Sequence, residues 1–133
     1  MSPEELRVGD MVYMPWYGKT VPGRVTLVAA DKVYVRPEVS GPHMARELIF
    51  KAGEGLEPIT LEAIHLLDMG FFSPEDRPDV LILRRETPIH TWLEWHEGNK
   101  ALFLGDSLIP TPICNIHQLQ HILQDFNIKI EQQ

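Results

Sequence analysis

Cysteine, serine and basic charge are scarce in this 133-residue chain: one Cys, four Ser, and 12 Lys and Arg against 19 Asp and Glu. The single thiol, Cys114, permits no intramolecular disulfide and no cysteine-based zinc site, so a reducing compartment is expected. Serines stand only at positions 2, 40, 73 and 107, and none lies in a nucleophile-elbow pattern. The GEG at 53–55 lacks the Lys and the helix that a phosphate loop requires. No apolar run approaches bilayer length, and MSPEELRVGD places acids where a signal peptide needs a basic start. A cytoplasmic protein that crosses no membrane is expected.

The net charge of −7 is unevenly spread: residues 1–57 carry 7 basic and 8 acidic side chains, residues 58–133 carry 5 and 11. An acidic body repels phosphate backbones, which makes nucleic acid an unlikely partner unless the nearly neutral first half gathers its cations on one face. Hydrophobic residues at 44% and charged residues at 23% match a folded globule rather than a disordered chain.

Alternation of apolar and polar residues marks strands in MVYMP (11–15), GRVTLVA (23–29) and KVYVR (32–36), with Ala30 and Asp31 connecting the last two as a hairpin. Strict alternation puts Val25 with Leu27 on one face, and Arg24, Thr26, Tyr34 and Arg36 on the other. The run VGDMVY, the loop WYGK and PGRVTLVAADKVYV together resemble the opening of a small SH3-like barrel. A Pro/Gly loop and a strand around Glu47 to Phe50 follow, and KAGEGLEP (51–58) forms a junction between subdomains.

Beyond Pro58 the period becomes helical. TLEAIHLLDMGF (60–71) has Thr60 as N-cap, Glu62 in the first turn and Gly70 as a left-handed stop. VLILRR (80–85), IHTWLEW (89–95) and KALFLG (100–105) form a meander, with HEGN (96–99) as a turn and Trp92 and Trp95 on opposite faces. Asn115 caps a second helix to about Phe126, with Gln118 placed to reach back to the cap. NIKIEQQ adds a short closing strand. The expected fold is α+β: a small SH3-like β subdomain (1–57) packed with an α-β-β-β-α subdomain (58–133), whose parts are a helix, a three-stranded antiparallel meander and a C-terminal helix, all in one compact unit.

His117 and His121 are one helical turn apart, the spacing of a metal-binding pair. On a wheel turning about 100° per residue, Ile116, Leu119, Ile122, Leu123 and Phe126 share one side, and the two histidines face outward. A zinc hydrolase needs a third ligand, from His43, His65, His90, His96 or a distant carboxylate, and a glutamate base where Gln118 stands. Cys114 beside Ile113 reads as a small hydrophobe rather than a nucleophile. The acids Glu75, Asp76 and Asp79 lie with two prolines and Arg77 in a solvated loop. No catalytic residue, metal or cofactor is therefore assigned. What remains is surface: Trp16, Tyr17, Lys19, Arg24, Tyr34 and Arg36 form a candidate aromatic and basic patch on which bases or peptide side chains stack.

LEPITLEAIHLLDMGF, followed by the meander and PICNIHQLQHIL, resembles an uncharacterised family of small proteins from phages and prophage-like regions of Bacteroidota. The matching residues are Leu56, Glu57, Pro58, Ile59, Leu61, Leu67, Gly70 and Phe71, then Ile113, His117, Gln118, Leu119 and Gln120. The family commonly has an amide-type residue where this chain has His121, which argues against a shared metal role. The resemblance implies a phage context and no mechanism, and leaves His117, Gln118, Gln120 and His121 as a polar group that is structural or meets a partner. The expected function is noncatalytic binding through protein contacts, with a homodimer possible. The alternative is a nucleotide- or single-strand-binding protein that sequesters its ligand in counter-defence, and a metal-dependent hydrolase using His117 and His121 ranks last.

Overall fold

The computed structural model describes residues 1–39, 46–84 and 92–128. Residues 40–45 with His43, residues 85–91 with His90, and the closing strand candidate from 129 onward lie outside the described residues. The chain divides into two compact units, Met1–Ile59 and Thr60–Gln133.

In the first unit a short 3-10 turn, Pro3–Glu5, precedes β1 (Met11–Trp16), β2 (Lys19–Val28), β3 (Lys32–Pro37), β4 (Leu48–Lys51) and β5 (Glu57–Pro58). They form one antiparallel sheet in the order β4-β3-β2-β1-β5. Alternation buries Val12 and Met14 of β1, Val25 of β2 and Val33 and Val35 of β3, which cluster with Leu6, Phe50 and Leu56. Each such aliphatic side chain contributes about 1.5–3 kcal/mol when fully buried. Gly23 lies inside this cluster because a Cβ there would collide with Met14 Sδ and Val35 Cγ1.

One register shift reorganises the sheet. Val25 pairs with Val35, but Leu27 rather than Thr26 pairs with Tyr34, so Thr26 is an extra residue in β2. Its hydroxyl donates to the Tyr34 carbonyl at 3.3 Å. The expectation that Val25 and Leu27 share a face is corrected by this bulge: Val25 is buried and Leu27 is 46% exposed.

In the second unit come α1 (Ala63–Asp68), β6 (Val80–Arg84), β7 (Trp92–His96), β8 (Ala101–Leu104), β9 (Ser107–Leu108) and α2 (Ile116–Asp125). Its sheet is a β6-β7-β8-β9 meander, one strand longer than the three expected. Leu93 and Trp95 of β7 are buried and Trp92 is exposed, and the Trp95 indole N–H donates to the Ile113 carbonyl at 3.1 Å. The helix at 60–71 is shorter than its period implies. Glu62 rather than Thr60 is the N-cap, with the Glu62 N–H donating to His65 Nδ1 at 3.0 Å, while Gly70 takes a φ of +98° and ends the helix. Thr60 instead bridges to Asn115, and the Leu61 N–H donates to the Cys114 carbonyl at 2.8 Å, which keeps these residues extended.

The α+β expectation, an SH3-like unit with helices packed on it, is therefore corrected. Among the described residues the fold is mostly β, with 40% strand in two antiparallel sheets and 17% helix. Helix-forming period was lost to strand-like pairing at Thr60 and Leu61, and the short strands β5 and β9 add to the sheets.

The β1–β2 connection is a two-residue turn, Tyr17 at φ 48° and Gly18 at φ 73°, with Trp16 opposite Lys19. Positive φ at both positions defines a type I′ turn, where Asn is preferred at the first. Tyr17→Asn is expected to raise stability by about 1 kcal/mol, seen as a higher urea midpoint with an unchanged slope.

Candidate functional site

The outer face of the first sheet is built by register. Residues directly opposite one another share a face, so Leu27, Tyr34 and Ile49 form one row across β2, β3 and β4. Leu27 and Ile49 are 46% and 58% exposed, and Tyr34 is half-buried. Lys32 and Lys51 stand opposite each other on one side of the row, with the Lys32 ammonium 5.8 Å from the Tyr34 ring centroid. On the other side Arg24 pairs with Arg36. These cations are engaged: Arg24 Nε donates to Glu38 at 2.9 Å and its Nη1 to the Gly9 carbonyl at 3.2 Å, and Arg36 Nη2 donates to Glu47 at 3.2 Å.

The six residues of the expected aromatic and basic patch fall into two groups. Arg24, Tyr34 and Arg36 lie on this face, whereas Trp16, Tyr17 and Lys19 lie at the β1–β2 turn. Arg24 pairs with Met11 and Lys19 with Trp16, at opposite ends of β1, about 16 Å apart along the strand. At the turn Trp16 is half-buried, and Tyr17 is 88% exposed with its ring edge-on to Trp16 at 4.9 Å between centroids. Lys19 is exposed beside them.

The polar group of α2 is also divided. Gln118 completes a capping box: its Oε1 accepts from the N–H groups of Asn115 at 3.0 Å and Cys114 at 2.8 Å. The outward orientation expected for His117 is corrected, for His117 is 8% exposed and counts among the buried residues of α2. The start of the helix is anchored, with Thr60 bridging to Asn115 and the Leu61 N–H bonding the Cys114 carbonyl, and His117 is buried there together with Ile116, Leu119 and Leu123 of the apolar stripe. Phe126, at the far end, is 38% exposed. His121 and Gln120 are half-buried, and the His117 and His121 rings meet edge to face at 5.7 Å. No group of three or more His, Cys, Asp or Glu able to hold a metal occurs among the described residues. Cys114 is exposed.

Comparison with family models, curated proteins and solved structures returns no match to this chain. No helix among the described residues is long and apolar enough to cross a membrane.

Sequence reasoning missed one charged cluster. The Arg77 guanidinium donates to both Glu94 carboxylate oxygens, at 3.3 and 3.2 Å, and His96 Nε2 lies 2.8 Å from Glu94 Oε2. Glu94 and His96 alternate on β7, so their shared face is legible, but the arrival of Arg77 from the 73–79 loop is not. Burial pushes the Glu94 pKa up, yet hydrogen bonds from His96 and Arg77 and the nearby cationic charge outweigh it and hold the carboxyl below its ordinary value. A lowered carboxylate pKa contributes stability above the ordinary glutamate range, and the contribution is lost as pH falls through the lowered value. Glu94→Gln is expected to cost about 0.5–1 kcal/mol at neutral pH after solvent screening, and denaturant titrations should show the deficit shrinking in acid.

Proposed function

We infer that this chain is a noncatalytic binding protein acting through protein contacts, encoded by a phage or mobile element and working in the cytoplasm. The observation that carries the reading is the Leu27–Tyr34–Ile49 row, an apolar strip with a central aromatic, bordered on one side by the Arg24–Glu38 and Arg36–Glu47 pairs and on the other by Lys32 and Lys51. An apolar centre within a polar rim is the anatomy of a protein interface, and Tyr is among the residues that anchor one. The phage context is supported by the resemblance carried by LEPITLEAIHLLDMGF and PICNIHQLQHIL, and the compartment by the single cysteine.

A photo-reactive amino acid at position 27 tests the reading in cells of the natural host, with the same probe at exposed Glu62 as control. A discrete protein adduct specific to position 27, lost when Tyr34→Glu is added in a protein with unchanged circular dichroism, is expected. Identical adducts at both positions, or adducts indifferent to Tyr34→Glu, would sink it.

A second reading, nucleotide or single-strand binding, is favoured by one observation: the Tyr17 ring is 88% exposed on a turn next to Lys19. Bases stack on such rings. Saturation at a hundred times the dissociation constant adds about 2.7 kcal/mol of stability. A nucleotide or oligonucleotide that raises the melting temperature of the parent chain but not of Tyr17→Ala would move the assignment to the turn. The expected outcome is no shift across the panel.

A further inference from the structure

We propose that β4 is a self-association edge, joining two copies of this chain by antiparallel β4–β4 pairing across a two-fold axis at Ile49. The inference rests on the protein-contact reading above and names one partner for it.

Antiparallel pairing alternates between hydrogen-bonded and non-hydrogen-bonded opposite residues. The Ala52 N–H donates to the Asp31 carbonyl at 2.7 Å, and Ala52 lies opposite Asp31 when the β3–β4 register is extended by one residue. Phe50 with Val33 and Leu48 with Val35 are then the other hydrogen-bonded pairs. Ile49 and Lys51 belong to the alternate set, so their backbone N–H groups point away from β3, toward the side of β4 where no strand pairs among the described residues. In the sheet order β4 is the terminal strand, with β3 as its neighbour.

The side chains select a register. Centred on Ile49, a two-fold pairing sets Ile49 opposite its own copy, Leu48 opposite Phe50 of the second copy, and Glu47 opposite Lys51. Both charged pairs are then of opposite sign and directly cross-strand, the arrangement that stabilises sheet pairs, with each Glu47 carboxylate shared between Arg36 of its own chain, at 3.2 Å, and Lys51 of the copy. A register centred on Lys51 would set two ammonium groups against each other. The Lys51 N–H meets the Glu47 carbonyl in the favoured register, and Ile49 exchanges both backbone bonds with its copy. The Lys51 carbonyl already accepts the Glu54 N–H at 3.0 Å, so the pairing closes after Lys51. The two apolar rows become continuous, Leu27–Tyr34–Ile49 running into Ile49–Tyr34–Leu27 of the second copy. This is an isologous contact with a self-complementary charge pattern, which closes at two copies.

The full chain is tested by sedimentation velocity from low to high micromolar concentration. A concentration-dependent dimer is expected, and Ile49→Lys, which sets two ammonium groups face to face, raises its Kd by about tenfold or more. Register is read by oxidation in a Cys114→Ser background. A hydrogen-bonded antiparallel pair holds its Cα atoms about 5.5 Å apart, within disulfide range. Ile49→Cys is therefore expected to form a covalent dimer on mild oxidation, and Lys51→Cys is not. A monomer at every concentration, a dimer indifferent to Ile49→Lys, or equal cross-linking at positions 49 and 51 overturns the proposal. The photo-adduct at position 27 is unaffected by these outcomes, because it reports the sheet face rather than the edge, so failure of the edge and failure of the protein-contact reading are told apart.

Discussion

The extra residue at Thr26 decides what the first sheet presents to its surroundings. Without it, the register set by Val25 and Val35 would continue as Thr26 opposite Tyr34 and Leu27 opposite Val33, and Leu27 would join the core. With it, Val28 lies opposite Val33 and packs against the core while Leu27 turns outward to meet Tyr34. The Thr26 hydroxyl on the Tyr34 carbonyl fastens the bulge to the strand it displaces. Leu27 joins the row through that displacement, while the β3–β4 register brings Ile49 opposite Tyr34.

A comparable constraint acts at the start of α2. Thr60 and Leu61 hold Asn115 and Cys114 through a bridge and a hydrogen bond, and Gln118 folds back onto the same two residues. Ile116, Leu119 and Leu123 of the apolar stripe are buried together with His117, while Phe126 at the far end is partly uncovered. Backbone partners at the helix start and the apolar stripe along it act together, and the buried arc is wide enough to take in His117.

Those two constraints also mark where the sequence is legible. The strands of the 11–36 region, the Gly70 stop, the opposition of Trp92 and Trp95, and the Asn115–Gln118 capping box follow from local period and local chemistry, and all are present. The bulge is not legible because Leu27 and Val28 are both apolar, so the pattern is satisfied with either one inward. The two-part division of the aromatic and basic residues depends on cross-strand register, which sets Lys19 and Arg24 at opposite ends of β1. Helical period at Thr60 was overridden by long-range pairing to Asn115, a partner more than fifty residues away in the sequence. That pairing shortens α1 at its start, and with the short strands β5 and β9 it tilts the chain toward β. The Arg77–Glu94 bond escapes for the same reason: it joins a loop to a strand across a separation that periodicity does not see.

The charged border of the outer face argues for recognition of a protein more than of a phosphate. Arg24–Glu38 and Arg36–Glu47 are solvent-exposed pairs, with side chains roughly a third to a half exposed, so each adds little to stability. Their effect is on what can approach. A phosphate oxygen approaching Arg24 or Arg36 must displace a carboxylate that is already in place, while the chain as a whole carries a charge of −7 that opposes the approach. An apolar side chain settling on Tyr34 displaces only water and leaves both ion pairs intact at its margin. On the protein-contact reading proposed above, the desolvation cost of charge at the Arg24–Arg36 margin falls on an anion and not on an apolar side chain.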